Sequence, residues 1–335
     1  MDRVRRVEGG SRVAPLVAAR ASDVETETTL PEYLALRGEP VEFRAMIRQV
    51  TFAAKKVAAE LRVAGLQGML GATGTTNVQG ESVQRLDDYA NSVFVDNLLR
   101  NPAISDLVSE EIRDEMHLAR HNRGEYALLF DPIDGSSNLD VNLTIGSIFS
   151  VRRPKDVMGD GRCQIAAGYV MYGPATTCVL AMPRHGVNLF TYDPAIGEFM
   201  FTRGPLRMPG EGSSYGANEA NSAGWAPHVR AFVEYLRGPA AHGTRYSGAL
   251  VADFHRILVK GGVYLYPADA KNRRGKLRLL YEAAPLAFIA DIAGGRAVSE
   301  DRDILDIVPA EVHERVPLIL GSRAEIDRFL PPARR

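Results

Sequence analysis

From Glu39 to Arg62, apolar side chains return every three or four positions, at Phe43, Ile47, Val50, Ala54, Val57 and Leu61, with Pro40 placed to open the segment. That spacing lays one apolar stripe along a 3.6-residue period and predicts a long amphipathic helix. A second such pattern, Ser82 to Leu99 through Leu86, Ala90, Val93 and Leu98, follows a Gly/Thr/Asn-rich stretch from Gly71 to Gly80 that reads as a surface loop. The period then changes. Ala127-Leu128-Leu129-Phe130 is an unbroken apolar run, as expected of a buried strand, and Asp131-Pro132 and Asp134-Gly135 end it abruptly. Polar groups are thereby presented at a strand end.

Further β-type segments follow at Ser147 to Val151, Gln164 to Tyr172, Thr176 to Ala181, Val187 to Tyr192 and Glu198 to Thr202, separated by turn residues. They predict an antiparallel or mixed sheet belonging with the first half of the chain. From about Ala220 helical patterns (Trp225 to Leu236, Leu250 to Lys260, Ala283 to Ala293) alternate with short strands at Val263 to Tyr266 and Leu318 to Leu320, which suggests a second α/β layer. Ser322 with Glu325 three residues on is a candidate capping box for the last helix.

At 335 residues the chain is long enough for two apposed domains or one large layered one. Its 40 basic and 41 acidic side chains nearly cancel, so there is no global positive field to hold a nucleic acid or an anionic membrane, and any anion must be bound locally. Cys163 and Cys178 are the only cysteines, too few for a disulfide framework, which fits a reducing cytoplasm. No apolar stretch approaches the length of a membrane span or a signal-peptide core. Arg3, Arg5, Arg6, Arg12 and Arg20 are interrupted by Asp2, Glu8, Asp23, Glu25 and Glu27, a pattern of a solvated N-terminus rather than a transit peptide.

The chemistry concentrates in Asp131-Pro132-Ile133-Asp134-Gly135-Ser136-Ser137-Asn138. Proline fixes the turn, so the Asp131 and Asp134 side chains and the Ile133 carbonyl can converge on a hard, oxygen-seeking cation such as magnesium. Backbone N–H groups from Gly135 to Ser137 can then cradle a phosphate beside it. A surface turn is the plain alternative for such residues. Glu110, Glu111 and Asp87 are further acids for the same chemistry, each alone more typical of a surface. In Gly275-Lys276-Leu277-Arg278-Leu279-Leu280-Tyr281-Glu282, an extended backbone points Lys276 and Arg278 to one side as readers of phosphate and sugar oxygens. Tyr264 and Tyr266 alternate in the same way around Leu265.

Taken together these strings resemble class I fructose-1,6-bisphosphatase, the bacterial type, from about Leu30 to Leu330. The resemblance also rests on Thr76-Asn77-Val78-Gln79-Gly80, Leu86-Asp87, Val108-Ser109-Glu110-Glu111, Ala166-Ala167-Gly168-Tyr169, Asn218-Glu219, Arg245-Tyr246, Val251-Ala252-Asp253-Phe254-His255-Arg256 and Tyr264-Leu265-Tyr266-Pro267. It implies a layered α/β/α/β/α sugar phosphatase fold with two apposed mixed sheets and a homotetramer. An N-terminal extension would occupy 1–29, an α/β domain with the metal site 30–205, and an α/β domain with the sugar and distal-phosphate site 206–335. Metal ligands implied are Glu110, Asp131, the carbonyl of Ile133, Asp134 and Glu282, holding Mg2+ with Mn2+ or Zn2+ as substitutes. Glu111 and Asp87 would orient and deprotonate the attacking water. Gly135, Ser136 and Arg278 would hold the reacting phosphate, with Asp134, Ser137 and Leu265 completing the substrate contacts. Asn218, Tyr246, Tyr264 and Tyr266 would hold the distal phosphate, Lys276 the sugar, and Arg245 would reach a neighbouring subunit's site. The implied reaction is in-line attack of a metal-activated water without a phosphoenzyme.

Two departures bear on regulation and substrate. AMP-inhibited relatives hold the nucleotide phosphate with a Thr-Gly-Glu loop and a Lys-Tyr pair, where this chain reads Arg37-Gly38-Glu39 and Glu125-Tyr126, retaining Arg153. An acid at 125 repels a phosphate, so AMP inhibition is expected to be weak or absent. Asn221 replaces a tyrosine frequent at the distal phosphate, which loosens affinity or broadens substrate choice. The plant-type redox insertion is missing, which leaves Cys163 without an evident partner. Alternatives are sedoheptulose bisphosphate, alone or alongside fructose bisphosphate, an inositol phosphate or a nucleotide as substrate, or a non-catalytic sugar-phosphate sensor.

Overall fold

The computed structural model describes residues 27–76, 82–112, 116–117, 124–300 and 302–331. The expected N-terminal extension therefore lies outside the described residues up to residue 26, as do residues 77–80 of one string carrying the resemblance.

Helices α1 (Leu30–Leu36), α2 (Val41–Leu61), α3 (Ala64–Gln67) and α4 (Arg85–Leu98) precede the main sheet, and α5 (Pro227–Arg237), α6 (Leu250–Lys260), α7 (Ala284–Ala293) and α8 (Arg323–Phe329) follow it. A ribbon of β1 (Ala72–Thr76) and β2 (Ser82–Gln84) is antiparallel. The main sheet comprises β3 (Ile104–Ser109), β4 (Met116–His117), β5 (Tyr126–Asp134), β6 (Ile145–Arg152), β7 (Ala166–Tyr172), β8 (Thr176–Met182), β9 (Gly186–Asp193) and β10 (Glu198–Leu206), in the order β10-β9-β8-β7-β6-β5-β3-β4. The second sheet comprises β11 (Ser214–Ala217), β12 (Gly243–Thr244), β13 (Val263–Tyr266), β15 (Arg296–Ser299), β16 (Arg302–Asp303) and β18 (Leu318–Gly321), in the order β12-β11-β13-β18-β15-β16. β14 (Leu277–Arg278) pairs separately with β17 (Arg315–Val316).

Strand periodicity assigns the layers. On β6, Ile145, Phe149 and Val151 join the core with α1, α2 and α4, whereas Ile148 faces the opposite side, with Phe254 of α6 and Leu286 and Ile289 of α7. Tyr264, Leu318 and Leu320 of the second sheet close that middle core. Their neighbours Val263, Leu265 and Ile319 point outward onto Val229 and Phe232 of α5 and Ile326 of α8. The result is helix, sheet, helix, sheet, helix, both sheets mixed.

One topological detail places the site. β3 and β5 run parallel, with Ser109 paired to Phe130, so both strands end at the same edge of the sheet. The Glu110 amide donates to the Phe130 carbonyl at 3.0 Å, which sets Glu110 beside Asp131.

The structure corrects several expectations. The long helix runs Val41–Leu61 and the second predicted helix, α4, starts at Arg85 rather than Ser82. Part of the expected loop from Gly71 is the β1–β2 ribbon. The Ser322–Glu325 capping box does not form: Ser322 is the N-cap residue, but its Oγ donates to the Pro209 carbonyl at 2.6 Å and accepts from the Gly262 amide at 3.0 Å. A capping box does form at Thr29 and Glu32, opening α1.

Candidate active site

At the shared end of β3 and β5, Asp131, Asp134 and Glu282 each offer a carboxylate oxygen, all within 4.8 Å of one another. All are buried, at 5 %, 6 % and 8 % exposure. Glu282 arrives from far along the chain because the backbone over Leu279–Ala283 winds as a wide π-helical turn leading into α7. Burial raises the Asp131 carboxyl well above the ordinary range, and Glu110, Glu282, Asp134 and Glu111 push it further. Glu282 is pushed up to about 8 by burial against the opposing pull of Arg278. Asp134 rises to about 6 by burial, opposed by the Val251 and Leu250 amides that it accepts at 2.7 and 3.2 Å. Acids that crowd this closely, with oxygen donors only, fit a hard divalent cation, which removes both the repulsion and the reason for protonation.

The strand continues directly into the turn at Gly135, where φ is 81° and an added Cβ would lie 2.4 Å from the Ala249 Cβ. Only glycine lets the turn approach α6 so closely. Ser136 opens a 3₁₀ turn to Val141. Facing this turn, Arg278 is 4 % exposed and pairs with Glu110 at 2.8 Å, while its amide donates to Glu282 Oε2 at 2.5 Å. One guanidinium thus touches the acid pole and lines the same cleft as the Gly135–Ser137 turn.

A cleft of about 510 Å³ joins these groups to a second pole. Its walls include Glu110, Glu111, the Ile133 segment, Gly135, Ser136 and Ser137 at one end and Asn218, Tyr246, Tyr264, Tyr266 and Lys276 at the other. The tyrosines form a ladder: the rings of Tyr246 and Tyr264 are 6.5 Å apart and those of Tyr264 and Tyr266 6.4 Å. Burial raises the Tyr246 phenol to about 12, so it stays a neutral donor at physiological pH.

Three expected site residues lie off this cleft. Asp87 is buried on α4, Leu265 is buried against α5 and borders a small neighbouring cavity lined also by Asn218 and Asn221, and Arg245 is exposed, its guanidinium donating to the Thr244 carbonyl at 2.7 Å. Lys276 and Arg278 do share the cleft, but the strand between them is short, and Lys276 is exposed where Arg278 is buried. Sequence reasoning missed Gly248 and Leu250, which also line the cleft and belong to the approach to α6. A larger groove of about 800 Å³ beside the end of α2 is mostly apolar, with Arg62 the single charged wall residue among the described residues.

An acid cluster at a strand end, an anion turn beside it and a phenol-lined pole across the cleft define a sugar-phosphate hydrolase. The family models for the fructose-1-6-bisphosphatase N-terminal and C-terminal domains match residues 26–204 and 208–332. The chain therefore belongs to the class 1 fructose-1,6-bisphosphatase family, hydrolases of a phosphoric monoester. It is 46% identical over 312 residues to the class 1 enzyme of Synechococcus sp. (strain JA-3-3Ab), covering 90% of this chain and 94% of that one. It is 45% identical over 301 residues to that of Sorangium cellulosum, covering 86% of each. Among solved structures, the holo form of Leishmania major fructose-1,6-bisphosphatase superposes with a TM-score of 0.88 at 38% identity, over 93% of this chain and 100% of the other.

Proposed function

We propose that the chain hydrolyses fructose 1,6-bisphosphate to fructose 6-phosphate and phosphate with Mg2+ as the working cation, in gluconeogenesis or carbon fixation. The observation that carries this reading is the convergence of three buried carboxylates within 4.8 Å at one end of a cleft whose other end is lined with phenols. Asp131, Asp134, Glu282, Glu110 and the Ile133 carbonyl hold the cation. When bound, it supplies Lewis-acid neutralisation of the phosphoryl and leaving oxygens.

The chain's own residues do the rest. Gly135, Ser136 and Ser137 donate backbone N–H groups to the reacting phosphate, and Arg278 adds a planar pair of donors. Glu111, half-buried on the cleft wall, accepts the proton of the attacking water. Asp87 acts on that water through intervening groups, being off the cleft. Asn218, Tyr246, Tyr264 and Tyr266 hold the distal phosphate, Lys276 meets the sugar, and Arg245 serves an adjoining protomer of a homotetramer. No helix among the described residues is long and apolar enough to cross a membrane, and we place the protein in the cytoplasm.

Asn221 favours a second reading, a dual enzyme that also accepts sedoheptulose 1,7-bisphosphate. It lines the small cavity beside Asn218 and Tyr266 and so leaves space at the distal pole. The deciding experiment measures phosphate release from both bisphosphates with Mg2+ and after exhaustive chelation. Fast, chelator-sensitive release from the fructose ester supports the main reading, and comparable rates support the dual one. An unchanged rate after chelation overturns the metal role, and absence of turnover leaves a sugar-phosphate sensor.

A further inference from the structure

The string Val251-Ala252-Asp253-Phe254-His255-Arg256 has no part in the chemistry above, yet it forms most of α6. Its helix N-terminus is already served, because Asp134 accepts the Leu250 and Val251 amides. Asp253, 3 % exposed, is therefore free of capping work. Its Oδ2 instead accepts from both the amide and the hydroxyl of Ser247, at 2.9 and 3.0 Å. One turn on, Arg256 donates through Nη2 to the Arg245 carbonyl at 3.3 Å and through Nη1 to Ser214 Oγ at 2.5 Å. Both side chains thus grip one short segment, residues 245–249.

That segment is gripped from the other side as well. Asn138, inside the phosphate turn, donates through Nδ2 to the Ser247 carbonyl at 3.0 Å and to the Thr144 carbonyl at 3.1 Å. The segment's far end, Ala249, packs against Gly135 at the closest approach in the turn. Its near end carries Tyr246, stacked on Tyr264 at the distal pole. Residues 245–249 therefore form a strap with one end on each pole of the cleft.

We infer that Asp253 and Arg256 are positioning residues which fix the separation of the two phosphate subsites through this strap, and so select the length of the sugar bisphosphate. The inference rests on the fructose bisphosphate reading above. Neither residue touches substrate. A hydrogen bond from the partly buried Arg256 guanidinium ties the Arg245–Tyr246 peptide to α6. Releasing it lets Tyr246 drift without disturbing the acid pole, which is anchored by β3 and β5.

Arg256→Met, which keeps the apolar stem and removes both donors, tests this with three substrates: fructose 1,6-bisphosphate, sedoheptulose 1,7-bisphosphate and fructose 1-phosphate, which lacks the distal phosphate. The expected result is a KM for fructose 1,6-bisphosphate about tenfold higher with kcat within about twofold, the scale of one lost charge-assisted bond. Activity on fructose 1-phosphate stays unchanged, and the preference for the shorter bisphosphate narrows. Ser247→Ala, which deletes one hydroxyl of the strap and leaves α6 intact, gives a smaller shift in the same direction. Equal losses on the bisphosphate and the monophosphate, or no loss on either, overturn the inference. Failure of the unmodified enzyme to hydrolyse fructose 1,6-bisphosphate instead overturns the reading beneath it, before any variant is compared.

Discussion

Strand β5 runs between two charged corners that are built in opposite ways. At its C-terminal end Asp131, Asp134 and Glu282 crowd within 4.8 Å, and the leading influences on Asp131 are burial and other acids. At its N-terminal end, where α1 meets α2, polar groups are partnered in place: Arg153 pairs with Glu125 at 3.0 Å while covering the Tyr126 ring at 5.1 Å, and His185 Nε2 is hydrogen-bonded to Glu39 at 2.8 Å. Arg37 lies over Tyr33 at 5.0 Å. The first corner crowds acids that raise one another's carboxyls, and the second partners its charges within the chain. Charge density alone does not mark a ligand site; charge left unbalanced by the protein does.

The largest expected effect comes from removing one of the crowded acids. Asp131→Asn should lower Mg2+-supported kcat about a thousandfold, several kcal/mol of lost charge neutralisation. The same change should stabilise the metal-free protein by on the order of 1 kcal/mol, about 2 °C in Tm, because it deletes a repulsive buried charge. Opposite signs in the two measurements are the signature of a site strained for function. A lower Tm in the metal-free variant would show that Asp131 is a structural acid and would erase the contrast between the corners.

Acidity sharpens the contrast next. A carboxyl held above its ordinary value binds its proton more tightly when folded, so its contribution to stability is full below the unfolded value and is lost as pH rises through the folded one. For Asp134 that loss runs from 3.8 to about 6 and for Glu282 from 4.5 to about 8. The chelated protein should therefore lose Tm from about pH 4 up to about pH 8, the part above pH 6.5 coming from Glu282, and saturating Mg2+ should flatten that slope. His255 has the opposite sign: desolvated by burial, with Arg203 adding to the effect, it falls from 6.5 to about 4. Its stabilisation is present above pH 6.5 and disappears as pH drops toward 4, with or without metal. Differential scanning of chelated and Mg2+-loaded protein across both windows separates the two. A metal-free slope identical to the loaded one above pH 6.5 would count against the acid cluster as the cation's seat.

The active corner was legible in the sequence because its key features are local: the apolar run Ala127 to Phe130 predicts β5, and the acids and the glycine follow within a few residues. Other parts needed distant partners. Glu110 meets Asp131 through the parallel pairing of β3 and β5, which no periodicity reveals. Asp134 is expected as a metal ligand and substrate contact, whereas it also caps a helix more than a hundred residues later. The capping signal misled at Ser322 because Pro209 and Gly262 claim the hydroxyl, while the equivalent signal at Thr29, beside Pro31, was there to be read and opens α1. Gly74, of a type depleted in strands, hid the pairing of β1 with β2.

The smallest expected effects belong to the finished corner. Glu125 and Arg153 are exposed, with 72% and 45% of their side-chain surfaces accessible, so their ion pair is screened and contributes little. Glu125→Gln should shift Tm by less than about 2 °C, under about 1 kcal/mol, and leave kcat unchanged. The unmodified enzyme should show no micromolar inhibition by AMP, because Glu125 both repels a nucleotide phosphate and occupies Arg153. Glu125→Lys reverses both terms, leaving two adjacent cations and no acid. If the corner lost nucleotide binding through this charge, that variant gains sensitivity to AMP that weakens as salt is raised. An AMP titration of the Lys variant that matches the unmodified enzyme would instead place the loss at Arg37, whose guanidinium lies over the Tyr33 ring.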